Sequence, residues 1–490
     1  MPETTSRKRS RSRSRSPNPR DRKRPTSSSA RATTNNSLPS KPEPPRRSSR
    51  SRSPPRQRKR PGAASRITAA DREAAEKLRQ GRLQQEAEEA KREAAARGVH
   101  DVVKQHYNAV PERGRDWRKT ESKIKGLRSF NNWVKSALIR KFSPDENFNY
   151  SAGLQGGAPQ LLVLDIGCGK GGDLQKWQLT PQQVGLYVGC DPADVSIQQA
   201  KERYRQMQTG RPRGRRPQYP LFEGHFFVKD CFGEWLGDIP FIREVGIDPN
   251  VGPGVNQMAQ RWSGTASFDV VSMMFCMHYA FENETKARGM LRNVAGALKK
   301  GGRFLGVIPN SDVLSEKVEE YHKSKHSNGA AAQVDDDDDD WDPEKSLDDP
   351  KPPQPEESKE NGEDGEVRGE GFEWGNSIYR VKFPGKTPSD GIFRPPFGWK
   401  YFYFLEEAVE EVPEYVVPWE AFRALAEDYN LELQYRRPFN EVWNEEKDVP
   451  EMVRLSEVMN VRDRRTGELM VSPQEIEAAS FYHAFCFYKV

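Results

Sequence analysis

Leu161-Leu-Val-Leu-Asp-Ile-Gly-Cys-Gly-Lys-Gly-Gly-Asp173 is the stretch around which the rest of the chain can be organised. A run of apolar residues, read as a buried strand, ends at Asp165, and Gly167, Gly169, Gly171 and Gly172 follow before helix-forming residues resume. Glycine tolerates positive φ and lets the backbone approach a ligand closely. In dinucleotide-binding proteins the same construction aims a helix N-terminus at a pyrophosphate. Here the pattern is Asp-x-Gly-x-Gly-x-Gly, with an acid placed to face the positive end of an amino-acid moiety. Asp191 ends the next strand-like run about 20 residues on, where a carboxylate can grip ribose hydroxyls. Taken alone the loop is also what any tight strand-to-helix turn would need. Acids closing three successive strands (Asp165, Asp191, Asp230) favour a nucleoside cofactor, and S-adenosylmethionine over a nicotinamide dinucleotide. Lys170, inside the loop, reads either as a solvated charge or as a phosphate contact.

Outward from that loop, strand-like runs recur at Leu161–Ile166, Gly185–Cys190, His225–Lys229, Phe268–Phe275 and Arg303–Ile308. Helix-like stretches lie between them at Val195–Arg205 and Glu284–Leu298, the latter closed by Lys-Lys-Gly-Gly. Alternating β and α over this length implies an α/β, Rossmann-like, doubly wound and mostly parallel sheet. Upstream, Phe130–Ile139 has helical apolar spacing. Downstream, Gly375–Phe383 and Trp399–Leu405 read as strands, and Leu431–Tyr435 with Ser480–Lys489 as a C-terminal pair closing the sheet with an antiparallel strand. A chain ending in a strand of its own sheet is expected to be tied down at Val490.

The 490 residues carry 34% apolar and 31% charged side chains and a formal net charge of +6. The apolar residues concentrate between about Tyr107 and Val318 and from Gly371 onward, so the chain divides unevenly. Residues 1–66, with Arg-Ser repeats at Arg9–Ser16 and Ser48–Ser53, form a basic low-complexity arm expected to be disordered. Arg20–Pro25 and Arg56–Pro61 read as nuclear-import signals, which predicts a nuclear location; an anionic partner such as RNA is the alternative use of the charge. Residues 67–99 read as a polar charged helix or linker, and 100–490 as the catalytic domain, interrupted at 324–370 by an acidic insert containing Asp335–Asp340. No apolar run is long enough to span a bilayer, and no hydrophobic leader follows Met1, so no membrane role is expected. Five cysteines without Cys-x-x-Cys spacing argue against a structural zinc and fit reduced thiols. No metal is expected.

A second motif is Phe268-Asp-Val-Val-Ser-Met-Met-Phe-Cys-Met-His-Tyr-Ala-Phe281. Its first half is a buried strand, and its second half falls where ligands sit in open α/β sheets. There His278 and Tyr279 could hydrogen-bond a base edge and Phe275 could stack on one. A histidine among aromatics serves equally as core filler.

Six blocks carry a resemblance: Ser129-Phe-Asn-Asn-Trp-Val-Lys-Ser136, Val163–Leu174, Asp191–Ser196, Phe275-Cys-Met-His-Tyr-Ala-Phe281, Gly306-Val-Ile-Pro-Asn310 and Val412-Pro-Glu-Tyr415. In this order, from about Val102 to Val490, the chain resembles the eukaryotic, fungal-type mRNA cap guanine-N7 methyltransferases. The resemblance implies a class I S-adenosylmethionine-dependent methyltransferase fold, with Lys135, Gly167, Asp191, Asp230, Met274 and Tyr279 at the cofactor. It places Asn131, Asn132, His278, Glu414 and Tyr482 at the cap, with Phe275 beside them, and Lys170, Lys176 and Arg203 at the phosphate bridge or RNA. It implies capped mRNA as substrate and the transcription or capping machinery as partner of the arm. Many members of that family carry Gln where this chain has Met274, so a polar contact to the cofactor is replaced by a polarizable thioether. Positioning and electrostatics by His278, Glu414 and Tyr482 are then expected to suffice, with no general base or nucleophile. Two rivals stand beside this reading: a methyltransferase for another RNA base, and an Arg/Ser-rich nuclear interaction protein on a degenerate scaffold.

Overall fold

The computed structural model describes residues 98–110, 121–149, 159–209, 220–253, 266–331 and 371–490, together with Arg79, Gly114, Trp117 and Thr120. All of them belong to one compact unit, Lys77–Val490. The basic arm, nearly all of the polar segment 67–99 and most of the acidic insert lie outside the described residues.

In β1 (Leu161–Ile166) Leu161 and Val163 face one apolar core, while Leu164 and Ile166 face the other. A strand covered on both faces has no polar side, which is why the sequence there reads as continuous apolar residues. Around it run β2 (Val184–Asp191), β3 (Glu223–Val228), β4 (Phe268–Met274), β5 (Leu298–Pro309), β10 (Leu431–Pro438) and β11 (Tyr482–Lys489). Their order is β10-β11-β5-β4-β1-β2-β3. β1 to β5 are parallel, β11 is antiparallel to β5, and β10 is antiparallel to β11. This is the expected mostly parallel sheet with its antiparallel C-terminal strand.

The helices that position the site are α1 (Val99–Ala109), α2 (Lys125–Phe142), α3 (Leu174–Gln178), α4 (Asp194–Thr209), α5 (Glu284–Ala297) and α6 (Ser311–Ala331). Phe130, Trp133, Val134 and Ala137 of α2 fill the first core with Trp177, while Met290, Leu291 and Val294 of α5 fill the second. Arg303, at 2% exposure, ties the end of α2 to β5 by donating to the Phe142 and Ser143 carbonyls and to Asp145. A charge buried this deeply persists because each of its three nitrogens donates to an acceptor.

Two features depart from expectation. Gly375–Phe383, read as one run, is two strands, β6 (Phe372–Gly375) and β7 (Tyr379–Phe383), broken where Gly375 takes φ +148° and a Cβ would strike the Tyr379 carbonyl. With β8 (Lys400–Leu405) and β9 (Val409–Tyr415) they form a second, antiparallel sheet in the order β6-β7-β8-β9. The other concerns α6, which runs to Ala331, past residue 324 where the acidic insert was expected to begin. Its surface pairs Lys317–Glu320 and Lys323–Glu319 let a polar sequence continue as helix.

Candidate active site

The chain leaves β1 toward β2 and β3, then returns to β4 on the other side of β1, so the crevice between β1 and β4 opens beyond their carboxyl ends. A cavity of about 390 Å³ occupies that place. The β1 loop contributes Gly167 to Lys170, β2 contributes Asp191, the turn after β3 contributes Cys231 and Phe232, and the segment after β4 contributes Met274, Phe275, Cys276 and Tyr279. Gly167 has φ +71°, and a Cβ on it would lie 2.5 Å from the Cys276 sulfur. Only glycine lets these two loops pass. Val103, Lys104 and Tyr107 of α1 cover the opening, and the Tyr107 and Tyr279 hydroxyls meet at 3.1 Å.

Asp191 accepts from the backbone N–H groups of Gly169 and Ala193, both at 2.9 Å. Burial pushes its carboxyl up, and those two N–H groups pull it back. A carboxylate held at the end of β2 beside apolar and thioether surface (Phe232, Met274) suits a nucleoside, so the walls fit S-adenosylmethionine. Asp165, expected to face an amino-acid moiety, does not line the cavity. It is 2% exposed beneath the loop, accepting from the Tyr187 hydroxyl at 2.6 Å and the Ser272 hydroxyl at 2.7 Å. Burial, together with the nearby Asp173 charge, pushes its carboxyl up to about 7. The motif acid is there to fix the β1 turn. Asp230 is not among the lining residues either; it bonds the Phe232 N–H and sits 3.6 Å from His100 of α1, beside Cys231 and Phe232, which are.

Asp173, quoted in the loop but not singled out, is the acid that enters the cavity from β1's side. Lys135 of α2 and Lys176 of α3 flank it at 2.8 and 2.7 Å. Burial alone would raise its carboxyl, but the two ammonium groups hold it well below the usual range. Burial in turn lowers the Lys176 ammonium, which also donates to Asn132 at 2.8 Å. Lys135 lines the cavity, 5.7 Å from the Phe275 ring centroid, whereas Asn132 and Lys176 do not line it.

Behind Phe275 lies a second group. Phe275 has φ +65°, uncommon for a bulky side chain and costing on the order of 1–3 kcal/mol. Its ring meets Tyr482 edge-on at 4.9 Å, and His278 lies 4.2 Å from Tyr279, centroid to centroid. Glu414, on β9, is 4% exposed; its Oε2 accepts from the Tyr401 hydroxyl at 2.8 Å, and its Oε1 is 3.4 Å from His278 Nε2. His278 is 2% exposed with neither ring nitrogen hydrogen-bonded, and the buried Asn131 carbonyl oxygen is likewise without a partner. Unpaired buried polar atoms call for an explanation, and a polar ligand bound beside these two is one that fits. None of His278, Glu414, Tyr482 or Asn131 lines the cavity, so the two groups touch through Phe275 and Tyr279, which do. Lys170 and Arg203 line the cavity, as do Arg128 and Lys104, and Lys170 donates to the Val110 carbonyl at 2.9 Å.

Sheet order, switch-point cleft and glycine cradle together define a class I S-adenosylmethionine-dependent methyltransferase. Residues 90–334 and 363–490 match the family described as mRNA (guanine-N(7))-methyltransferase domain, and the match passes over the acidic stretch between them. The chain belongs to that family. It is 60% identical over 463 residues to an mRNA cap guanine-N(7) methyltransferase of Aspergillus fumigatus, covering 92% of this chain and 66% of that one. The like-named protein of Pyricularia oryzae is 57% identical, with 92% and 90% covered, and that of Schizosaccharomyces pombe 39%, with 80% and 82% covered. A solved S-adenosylmethionine-dependent methyltransferase from Clostridium acetobutylicum is 9% identical over 76% of this chain and 96% of that one, with a TM-score of 0.31.

Among the described residues no group of three or more His, Cys, Asp or Glu is placed to hold a metal, and no helix is long and apolar enough to cross a membrane. All five cysteines are free and buried. Trp117, Glu407 and Tyr107, which also line the cavity, come from segments with no motif of their own, and Arg128, which lines it too, lies one residue before the Ser129–Ser136 block.

Proposed function

We propose that this protein transfers a methyl group from S-adenosylmethionine to N7 of the guanine that caps RNA through a triphosphate bridge. The observation that carries the reading is the contact of a nucleoside-sized cleft with the buried Glu414, His278 and Tyr482 through the shared residues Phe275 and Tyr279.

When bound, S-adenosylmethionine supplies a methyl group on a sulfonium. Asp191 would hold its ribose, Gly167 and Gly169 would let the loop backbone come close to it, Met274 and Tyr279 would pack beside it, and Lys135 would fix Asp173 at its amino-acid end. Asp230 would act on it only through the Phe232 turn. On the other side, Glu414 would accept from the guanine edge, His278 and Asn131 would meet its remaining polar atoms, and Phe275 and Tyr482 would fix its plane. Asn132 would act by holding Lys176. Lys170, Arg203 and Lys176 would carry the phosphate charge. Guanine N7 has a free lone pair, so no side chain need remove a proton. Positioning then supplies most of the effect. Because the product guanine is cationic, a carboxylate at its edge favours the transition state over the ground state.

Transfer of labelled methyl to capped and uncapped RNA, with the modified nucleoside identified, tests this. The expected result is 7-methylguanosine from capped RNA alone. Equal use of uncapped RNA, or another methylated base, would move the assignment to a different RNA methyltransferase; no transfer at all would favour the degenerate-scaffold reading. We further propose that residues 1–66 direct the protein to the nucleus and to the capping or transcription machinery. A fluorescent fusion lacking them should lose nuclear enrichment.

A further inference from the structure

α1 is attached to both halves of the site. Its C-terminal turn is fastened on the cofactor side: Asn108 bonds Asp194 and Val195 of α4, and Lys170 of the glycine loop donates to the Val110 carbonyl at 2.9 Å. The same helix packs against β9, the strand that carries Glu414. Tyr107 belongs to this helix, and its hydroxyl meets that of Tyr279 at 3.1 Å, although the two residues are 172 positions apart. Tyr279 in turn belongs to the acceptor side. It lies in the turn Met277–Glu282 after β4, its ring tilted against His278 at 4.2 Å between centroids, and His278 is 3.4 Å from Glu414.

Burial pushes the Tyr107 phenol up, the bond to Tyr279 pulls it back, and the Glu414 and Asp191 carboxylates push it up again. The acid assigned to the guanine and the acid assigned to the ribose therefore act on one hydroxyl. Burial pushes the Tyr279 phenol up as well. Both phenols stay neutral near neutral pH, so the contact is a hydroxyl–hydroxyl bond in which one donates and the other accepts. Covering the cleft would need only the Tyr107 ring and Val103; the hydroxyl adds direction. Methyl transfer depends on direction, because the acceptor nitrogen must lie in line with the methyl group. We infer that Tyr107 is a positioning residue for the transfer: from α1, its hydroxyl sets the ring of Tyr279 and, through that ring, the His278–Glu414 pair against which the guanine is placed. The inference rests on the acceptor assignment above and adds to it a residue from a segment without a motif. One bond then links the closed position of α1 to the arrangement of the acceptor group.

Tyr107→Phe keeps the ring and removes only the bond. With capped RNA and S-adenosylmethionine both saturating, kcat should fall about fivefold, the scale on which one net hydrogen bond acts. KM for capped RNA and the calorimetric affinity for S-adenosylhomocysteine should match the parent. In a Tyr279→Phe background the same substitution should cost nothing more, because the bond is already gone. Unchanged kcat, or additive losses in the double variant, would overturn the positioning role. So would an intact kcat with weakened S-adenosylhomocysteine binding, which would make Tyr107 part of the cover alone. A parent enzyme that modified uncapped RNA equally well would remove the cap reading and this inference with it, a result visible before either variant is made. With a parent specific for capped RNA, the outcomes above bear on Tyr107 alone.

Discussion

Glu414 is a carboxylate held at 4% exposure by one tyrosine hydroxyl, with its second oxygen directed at a histidine that has no other partner. Replacing it by Gln keeps the volume and the acceptor toward Tyr401 but removes the charge. Glu414→Gln is expected to lower kcat/KM for capped RNA by about a hundredfold or more, the scale of removing one electrostatic interaction from a water-poor site. S-adenosylmethionine affinity should not change, and a drop in that affinity would place Glu414 on the wrong side of the reaction. Asp165 makes a different prediction. Its carboxyl titrates near 7 when folded, against about 3.9 in an unfolded chain. Between those values the folded state holds the extra proton, so this residue's contribution is fully present below about pH 4 and is lost as pH rises through 7. Asp173 is shifted the other way, and its effect falls at lower pH, outside that window. Burial lowers His483 and His106, which adds stability as pH rises through the same window. The Asp165 contribution to the pH slope is therefore read as a difference: from about pH 5 to 7, urea unfolding should show Asp165→Asn gaining stability relative to the parent. An identical slope in the variant would leave Asp165 no part in it.

At the scale of elements, α1 closes the cleft by few bonds. Asn108 donates to the Asp194 carboxylate at 2.9 Å and accepts from the Val195 N–H at 3.2 Å, pinning the end of α1 to the start of α4. Hydrogen bonds of this kind are worth about 1 kcal/mol each. Asn108→Ala should speed release of S-adenosylhomocysteine about fivefold in stopped-flow measurements; an unchanged rate would mean that the helix is no barrier. What sequence alone could reveal differs from element to element. β1, β4 and the second half of β5 announced themselves because strands covered on both faces must be apolar throughout, whereas β3, at the sheet edge, showed only a short aromatic run. The second sheet did not, since nothing local distinguishes a strand that joins the main sheet from one that joins another, and the break at Gly375 is a matter of φ. Asp191 was found by its distance from the glycines. Asp173 was passed over because its importance lies in lysines on α2 and α3. Glu414 sits in a strand that reads as half exposed, and only the family resemblance pointed to it. Asp165 shows the opposite failure: its place in the motif was read as ligand contact, whereas it serves the turn.

For the molecule as a whole, charge is divided between a basic arm and the folded unit. If residues 1–66 neutralise RNA phosphates, removing them should flatten the dependence of log K for RNA on log salt, by about 0.7 for each phosphate left unneutralised. Cofactor affinity should stay the same. An unaltered salt slope would leave the arm to localisation alone. The position of β11 bears on something else. It is not the rim of the sheet but an inner strand, paired with β5 on one side and β10 on the other, and it sets Tyr482 edge-on against Phe275. A strand made later than both its neighbours thus wedges between them. While a ribosome still holds residues 482–489, β5 and β10 each present a bare edge and Phe275 lacks the Tyr482 ring. A growing chain is therefore inert until those residues emerge, and one cut short by even ten residues would be sticky as well as inactive, a form suited to removal by chaperones and proteases.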